Sequence, residues 1–344
     1  MHAYCTYFDS GYLSRGLSLI DSIRANGDAA PIWVLALDDV AREYLDSAAL
    51  PNVFTLTIAE IESAFPDLLP LKSGRSRMEY YFTTTPLVMR WVLNQYETPA
   101  ETTVVYLDSD LYFFNDPKLV LDSVGVGSIG IIEHRYPKRQ QKRLAKYGRF
   151  NVGWVGVRGD VNGLACLDWW GARTIEWCSD VPSDGRYADQ GYLDSFPALF
   201  DGVVVLDSPG FNLAPWNTAR YHLAVDSGGQ VLVAGSPLVF FHFHGLRRVG
   251  TWYVTSQLVY GARLGDILRN RVYVRYLKHL EVASRLVQPK LATTPVIKRR
   301  GNGLWGLASR ALKAATDKAT ILSGNAVSLK SLELPETLTA PSLL

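Results

Sequence analysis

The segment VVYLDSDLYFFND, residues 104–116, places two carboxylates one residue apart directly after four apolar residues. The run from Val104 to Leu107 is rich in β-branched and aromatic residues, which predicts a strand buried on both faces of a parallel sheet. Side chains two positions apart in a strand point to the same side, so Asp108 and Asp110 are expected to converge. Two close carboxylates repel each other unless a cation lies between them, and this favours a divalent metal ion at the end of the strand.

The composition is that of a folded globular protein. The chain has 344 residues, of which 48% are hydrophobic and 20% charged, and its net charge of +2 gives no overall field that would attract nucleic acid. Its three cysteines, Cys5, Cys166 and Cys178, are odd in number and far apart, which argues against a disulfide framework and favours a reducing compartment. No secretory leader or membrane span is visible in the sequence, so a cytoplasmic protein is expected, with peripheral contact to the inner face of the membrane left open.

The first half alternates strand and helix patterns. Apolar runs predict strands at 3–8, 32–37 and 53–56, and helical spacing predicts helices from Leu13 and over 40–46. Thr85 followed by Pro86 has the form of an N-cap and first helical residue, which predicts a helix to about Tyr96. Such βαβ alternation predicts an α/β fold with a doubly wound sheet flanked by helices, whose ligands bind beyond the carboxyl ends of the strands.

The second half is less regular and ends in a helical extension. Strands are predicted at 129–133, 152–157, 202–207 and 236–245, and helices at 164–177 and 189–196. The basic stretch 138–149 is interpreted as a solvated loop or helix rather than a nucleic-acid contact. Helices are expected after Thr255, and 298–318 is equally compatible with a helix lying on a membrane surface and with one packed on the domain. The last residues, 323–344, are expected to form a poorly ordered tail.

A second apolar run supplies an imidazole for the same site. His242 and His244 end the run LVFFHFHG, and the spacing in the strand does not choose between them. Two carboxylates and one histidine leave coordination positions open for phosphate oxygens, which suits Mn²⁺ or Mg²⁺ on a nucleotide diphosphate. Arg247 and Arg248 follow directly, and an arginine stabilises the charge that develops on a diphosphate leaving group.

Further polar residues are candidates for sugar binding. Asp189 and Gln190 open the segment 189–196, where the Asp-Gln-Gly pattern taken alone favours an ordinary helix cap. Amide and indole groups suit hydroxyl-rich sugars, and they are found in the candidate substrate residues Asn151, Asn212, Trp216 and Asn217.

Taken in order, these motifs resemble retaining glycosyltransferases of the GT-A fold, especially the glycogenin and bacterial lipooligosaccharide galactosyltransferase group, glycosyltransferase family 8. The similarity covers about residues 1–250 and runs from YCTYFDSGYLSRGLSLIDSI through YLDSDLYF, FNVGWVGV and DQGYLDSF to HFHG. It implies a metal site at Asp108, Asp110 and His242, with Asp189 and Gln190 near the anomeric carbon. It also implies that the nucleobase and the rest of the donor bind to Thr6, Tyr7, Phe8, Tyr12 and Ser109. His244 is expected to bind the substrate.

Two positions depart from the pattern of that group. Pro86 stands where the group often has a phosphate-binding lysine, and Arg75, Arg77 and Arg90 are alternative replacements, of which Arg77 is assigned to the donor. The usual Lys-Pro-Trp after the last motif is replaced by RRVGTW, so Arg248 is expected to hold the phosphates.

The expected function is metal-dependent transfer of a hexose from a nucleotide sugar, UDP-linked in preference to GDP-linked, to a glycan or lipid-linked acceptor with retention of configuration, in surface polysaccharide synthesis. The alternatives are a sugar-1-phosphate nucleotidyltransferase and a non-catalytic sugar-binding module. A dehalogenase-like phosphatase is disfavoured because its motif is Asp-x-Asp-x-Thr, whereas Leu111 and Tyr112 follow the aspartates here. A catalytic domain is predicted over 1–254, with a nucleotide-sugar half to about 125 and an acceptor half after it, followed by a helical extension over 255–322 and the tail.

Overall fold

The computed structural model describes residues 1–183, 185–291 and 304–334, with the backbone alone for 288–291 and 304–310. A seven-stranded sheet forms its centre, with the strand Phe150–Arg158 antiparallel to both of its neighbours and the remaining pairs parallel. The predicted doubly wound sheet of an α/β fold is therefore confirmed, and one of its strands is antiparallel to its neighbours. In spatial order the strands are β3 (Val53–Thr57), β2 (Ile32–Ala36), β1 (His2–Phe8), β4 (Thr103–Leu107), β7 (Phe150–Arg158), β6 (Ile129–Glu133) and β8 (Val203–Leu206).

Helices cover both faces of this sheet. Alternate residues of β1 enter different cores: Cys5 packs on one side, and Tyr4 packs on the other. The helices are α1 (Leu13–Ala25), α2 (Asp39–Ala48), α3 (Ile58–Ala64), α4 (Arg77–Leu93), α5 (Lys118–Val124), α6 (Leu144–Tyr147), α7 (Val161–Glu176), α8 (Phe196–Leu199), α9 (Val274–Leu291) and α10 (Leu304–Leu322). Helices α3, α4 and α7 contribute to the Cys5 side, and α1, α2, α5 and α9 contribute to the Tyr4 side.

Helix α4 begins nine residues before the start expected from Thr85 and Pro86, so that prediction is wrong. Its N-cap is Ser76, whose side chain accepts from the backbone N–H of Glu79 while the Glu79 side chain accepts from the N–H of Ser76. Pro86 lies inside the helix and removes one backbone donor there. The capping box and the buried face of α4 outweigh this loss, and the proline is buried.

Three small sheets lie outside the central sheet. In the first, β5 (Leu111–Phe113) pairs with β12 (Phe240–His242), and the two strands are antiparallel to each other. A second sheet contains β9 (Leu223–Val225), β10 (Val231–Val233) and β11 (Ser236–Pro237). The third contains β13 (Arg247–Val249), β14 (Trp252–Val254) and β15 (Ala326–Ser328).

The C-terminal part is helical, as expected, and it contributes to the core. Ala283 and Val287 of α9 are buried in the core on the Tyr4 side, and β15 lies within the segment 323–344 that was expected to be a tail. No helix in the described part of the chain is both long and apolar enough to cross a membrane. The predicted surface helix begins at Lys298, so its first residues lie outside the described part of the chain. Residues 335–344 of the predicted tail also lie outside it.

Candidate metal-binding cleft

The two aspartates converge because the chain turns between them. The backbone N–H of Leu111 donates to the carbonyl of Asp108 at 3.1 Å, which closes a tight turn after β4. The N–H of Asp108 donates to the carbonyl of Gly153 at 2.9 Å, which fixes this turn to β7. The convergence was expected from strand alternation, whereas the structure achieves it with a turn.

The pairing of β5 with β12 brings His242 to this turn. His242 lies opposite Leu111 in the antiparallel register, and its Nε2 is 3.0 Å from Asp110 Oδ1 and 3.6 Å from Asp108 Oδ2. The N–H of Phe243 donates to the carbonyl of Asp110 at 2.9 Å, so the backbones are also joined. His244 is exposed, and its ring centre lies 6.0 Å from that of His242. The structure thus brings His242, rather than His244, to both carboxylates.

These three side chains have the chemistry of a divalent cation site. Their ligand atoms all lie within 4.8 Å of one another, and they comprise two carboxylate oxygens and one imidazole nitrogen. The ring of His242 is buried, so the orientation of Nε2 toward the carboxylates is fixed by packing. Oxygen and imidazole ligands suit Mn²⁺ and Mg²⁺, and the residues present fit such an ion.

The charges at this turn are strongly coupled. Burial and the charge of Asp110 raise the pKa of Asp108 to about 6, although the attraction of His242 opposes them. Burial acts in the same direction on Asp110, but the charge and hydrogen bond of His242 outweigh it and lower the pKa of Asp110 to about 2. The same contacts raise the pKa of His242 in spite of its burial. A positive partner between the two carboxylates therefore stabilises the site.

The carboxylates open into a cleft of about 530 Å³ at the carboxyl ends of β1 and β4. Most of the predicted site residues line it, so the structure brings together side chains from across the first 250 residues. The predicted residues in the lining are Tyr7, Phe8, Tyr12, Arg77, Asp108, Ser109, Asp110, Asn151, Asp189, Gln190, Trp216, His242 and His244.

Four predicted residues are not in the cleft lining. Thr6 is buried, and Arg248 pairs with Glu281 at 2.9 Å, away from the carboxylates. Asn212 and Asn217 are buried behind the cleft lining. Asn212 donates to Asn151 Oδ1 at 2.9 Å, and Asn217 donates to the carbonyls of His134 and Asn212 at 3.1 and 3.0 Å. These two asparagines support the cleft and do not reach its surface.

The amides of Asn151 and Gln190 form one buried network. Asn151 donates from Nδ2 to Gln190 Oε1 at 2.9 Å, and Gln190 donates from Nε2 to the carbonyl of Tyr147 at 2.8 Å. The N–H of Val152 also donates to Gln190 Oε1 at 3.2 Å. The Gln190 side chain therefore holds β7 and the Tyr147 segment in position while lining the cleft.

Asp189 is a buried carboxyl without a strong partner. It is 1% exposed, and its Oδ2 has no hydrogen-bond partner in the described structure. Burial raises the pKa of Asp189 to about 7; a hydrogen bond from Thr85 opposes the rise, and the charge of Asp108 adds to it. The preceding residue, Ala188, has a φ of 47°, a left-handed conformation that is rare for alanine. Such strain is typical of positions where a functional side chain is held in place.

Sequence motifs missed several cleft residues. The hydroxyl of Tyr106 donates to Asp108 Oδ1 at 2.9 Å, and its position two residues before the aspartate was the available indication. The other missed tyrosines and phenylalanines come from five separate segments, so no local pattern groups them. They are Tyr81, Phe82, Tyr136, Tyr147, Tyr187 and Tyr260.

The arginine alternatives are separated by the structure. Arg75 donates to the carbonyl of Thr174 at 2.7 Å, and Arg90 pairs with Asp168 at 2.9 Å, so both hold α7. Arg77 lines the cleft. Arg15 is an additional cation near the entrance: its guanidinium lies 4.5 Å from the ring centre of Tyr12, and its charge helps to lower the pKa of Asp110.

The fold and the site define an α/β protein with an acidic and imidazole cluster in a cleft at the carboxyl ends of its strands. The chain belongs to the family of YfnF and YfnD, two proteins of Bacillus subtilis (strain 168) that are described as uncharacterized. YfnF is 33% identical over 253 residues, which cover 72% of this chain and 82% of YfnF. YfnD is 30% identical over 248 residues, which cover 72% of this chain and 78% of YfnD. No protein-family model matches the chain.

Solved structures similar to this chain include several glycosyltransferases. The galactosyltransferase LgtC, in complex with donor and acceptor sugar analogues, is 17% identical with a TM-score of 0.48, over 86% of this chain and 98% of that chain. Mouse xyloside xylosyltransferase 1 is 13% identical with a TM-score of 0.46, over 71% and 98%. The glycosyltransferase GlyE of Streptococcus pneumoniae TIGR4 is 14% identical with a TM-score of 0.46, over 86% and 65%.

Proposed function

We propose that this protein is a metal-dependent glycosyltransferase that moves a hexose from a nucleotide diphosphate sugar to a glycan or lipid-linked acceptor. The observation that carries the proposal is the convergence of Asp108, Asp110 and His242 beside the 530 Å³ cleft. The buried imidazole and the two carboxylates would hold a divalent cation beside the cleft, and the cation would supply positive charge to a diphosphate bound there.

The donor occupies the cleft with its base on the aromatic side. Tyr7 and Phe8 end β1, and Tyr12 follows it. The rings of Tyr7 and Tyr12 supply stacking surface, which suits UDP and also tolerates GDP. Arg77 and Arg15 are the cations beside this part of the cleft, so they, rather than Arg248, are proposed to face the phosphates. Bound Mn²⁺ or Mg²⁺ supplies positive charge against the diphosphate.

The acceptor occupies the opposite, tyrosine-rich side. The C1–O bond to the diphosphate breaks, the acceptor hydroxyl oxygen bonds to C1 on the same face, and its proton passes to the departing diphosphate oxygen. This course retains the configuration. The ionised Asp189 stabilises the positive charge that develops at C1, since its Oδ2 has no competing partner within the described residues. Gln190 keeps Asn151 and the Tyr147 segment in position around the sugar.

The proposal includes a role in surface polysaccharide synthesis in the cytoplasm. The support is that Cys5, Cys166 and Cys178 are unpaired thiols, which suits a reducing compartment.

The first experiment is a panel of UDP-, GDP- and TDP-sugars with Mn²⁺. Purified protein is expected to release the nucleotide diphosphate from one donor and to lose this activity when the metal is chelated. Proton NMR of the product linkage tests retention of configuration. If no donor is bound or consumed, the proposal fails; release of pyrophosphate from a nucleoside triphosphate and a sugar-1-phosphate would instead support a nucleotidyltransferase.

Asp110→Asn separates the metal site from the fold. Loss of one ligand carboxylate is expected to weaken Mn²⁺ binding by more than about tenfold and to abolish transfer, with an unchanged circular dichroism spectrum. The matched control is Asp122→Asn, because Asp122 is exposed and distant from the cleft lining. Full activity of Asp110→Asn would show that the metal assignment is incorrect.

A further inference from the structure

A second cavity, of about 520 Å³, lies between the hairpin of β9 and β10 and the beginning of α9. Its floor is apolar and is formed by Phe114, Val231, Leu238 and Val274. It shares none of its described lining residues with the metal-binding cleft. A cavity of this size is large enough for a small organic ligand.

Three cations converge on this cavity. Arg271 belongs to a π-helical segment, Leu268–Tyr273, that continues directly into α9, and Arg275 and Lys278 lie in the first turns of α9. All three side chains line the cavity. The Arg275 guanidinium lies 5.4 Å from the ring centre of Phe114. Arg271 Nη1 lies close to the hairpin, 4.0 Å from the position that a Cβ atom on Gly229 would occupy. We call these three side chains the basic triad.

No carboxylate among the described residues neutralises the basic triad. Among the described residues, no acidic side chain lines this cavity and no ion pair includes any of the three cations. The nearest acid on the hairpin, Asp226, is engaged in its own turn, where its Oδ1 accepts from the N–H groups of Gly228 and Gln230 at 2.9 and 2.8 Å. Three like charges around one cavity repel each other, so an anion is the ligand that relieves the repulsion.

Two amides add neutral hydrogen-bonding groups. The side chains of Gln230 and Asn270 line the cavity and have no hydrogen-bond partner in the described part of the chain. Guanidinium groups match phosphate oxygens in charge and in geometry. We propose that this cavity is a binding site for a phosphate or diphosphate group, separate from the cleft and independent of the proposed transferase activity. The group belongs to a free phosphorylated compound or to the headgroup of a lipid.

The test compares a variant that lacks the basic triad with a control variant that loses the same charge elsewhere on the surface. One variant carries Arg271→Gln, Arg275→Gln and Lys278→Gln. The control carries Arg263→Gln, Arg285→Gln and Lys313→Gln, which are exposed residues outside the cavity. Both variants lose three positive charges, so a general electrostatic effect would change them equally.

Two probes distinguish the source of the phosphate. Inorganic pyrophosphate is titrated by calorimetry in the presence of EDTA, and sedimentation is measured with vesicles of phosphatidylcholine, with and without phosphatidylglycerol. Binding of either probe by the wild type and the control, with at least tenfold weaker binding by the triad variant, supports the site. Binding of pyrophosphate indicates a free ligand, and binding of the phosphatidylglycerol vesicles alone indicates a headgroup.

The proposal is overturned if the wild type binds neither probe, or if the triad variant binds as tightly as the wild type. Equal weakening of the triad and control variants also overturns it. If the triad variant fails to fold by circular dichroism, the single change Lys278→Gln provides the same comparison against Lys313→Gln. Arg271→Lys, which keeps the charge, is expected to retain most of the binding.

Discussion

At the scale of the residue, Asp189 combines burial, an unpartnered oxygen and a strained neighbour. Because burial raises the pKa of Asp189 to about 7, the ionised form prevails only above that pH. If ionised Asp189 stabilises charge in transfer, kcat/KM is expected to fall as the pH decreases through about 7. Asp189→Asn is expected to lower kcat by about 10²- to 10³-fold and to remove this limb of the pH profile.

The control for Asp189 is again Asp122→Asn, measured over the same pH range. A variant Asp189→Asn that keeps the wild-type pH limb would assign that limb to another group and contradict the proposed role.

Gly153 is essential to the site because its neighbours leave no room for a side chain. A Cβ at this position would lie 2.8 Å from both Asn151 Oδ1 and His242 Nδ1. Gly153→Ala is therefore expected to displace the imidazole, to destabilise the fold by about 1–3 kcal/mol, and to weaken Mn²⁺ binding. Urea denaturation and Mn²⁺ titration measure the two effects.

Gly74→Ala serves as the control for this change, since no atom lies within 4 Å of the Cβ position there. Wild-type Mn²⁺ affinity in Gly153→Ala would mean that His242 is not held in the place described.

At the scale of the element, the start of α4 depends on one hydroxyl. Ser76 caps the helix, and replacing a serine N-cap by alanine costs about 1 kcal/mol. Ser76→Ala is expected to lower the free energy of unfolding by this amount in a urea titration. Ser73→Ala is the control, because the Ser73 hydroxyl makes one long bond of 3.4 Å to Pro70. Equal stability of the two variants would contradict the capping role.

The local patterns were sufficient for β1, α1, β2, α2 and β3, because each element has its own hydrophobic period. They fail at α4, where the pair Thr85 and Pro86 is a false start signal. The true signal is the capping box of Ser76 and Glu79, which is equally local in sequence. They also gave no indication that β7 runs antiparallel between β4 and β6, because strand pairing depends on contacts distant in sequence.

The same distinction holds for the site. Asp108, Asp110 and His242 follow apolar strands and were therefore visible in the sequence. The tyrosines of the cleft come from separate loops, and the choice between His242 and His244 required the register of β12 against β5.

At the scale of the whole molecule, the last described strand is part of the fold. Val327 of β15 is 1% exposed and packs in the core that also contains Phe243 and Tyr253. Val327→Ala is expected to lower the free energy of unfolding by about 2 kcal/mol. The control is Leu312→Ala, since Leu312 of α10 is 71% exposed. A negligible effect of Val327→Ala in thermal unfolding would show that this strand contributes little to the stability of the fold.

The pairing of β5 with β12 also sets an order of events during translation. Asp110 leaves the ribosome about 130 residues before His242, which corresponds to roughly 7–25 seconds of synthesis. During this interval the nascent chain carries the acidic turn without its imidazole, and water must solvate both carboxylates. Capture of a cation by the complete set of three ligands therefore has to wait until His242 has also been synthesised.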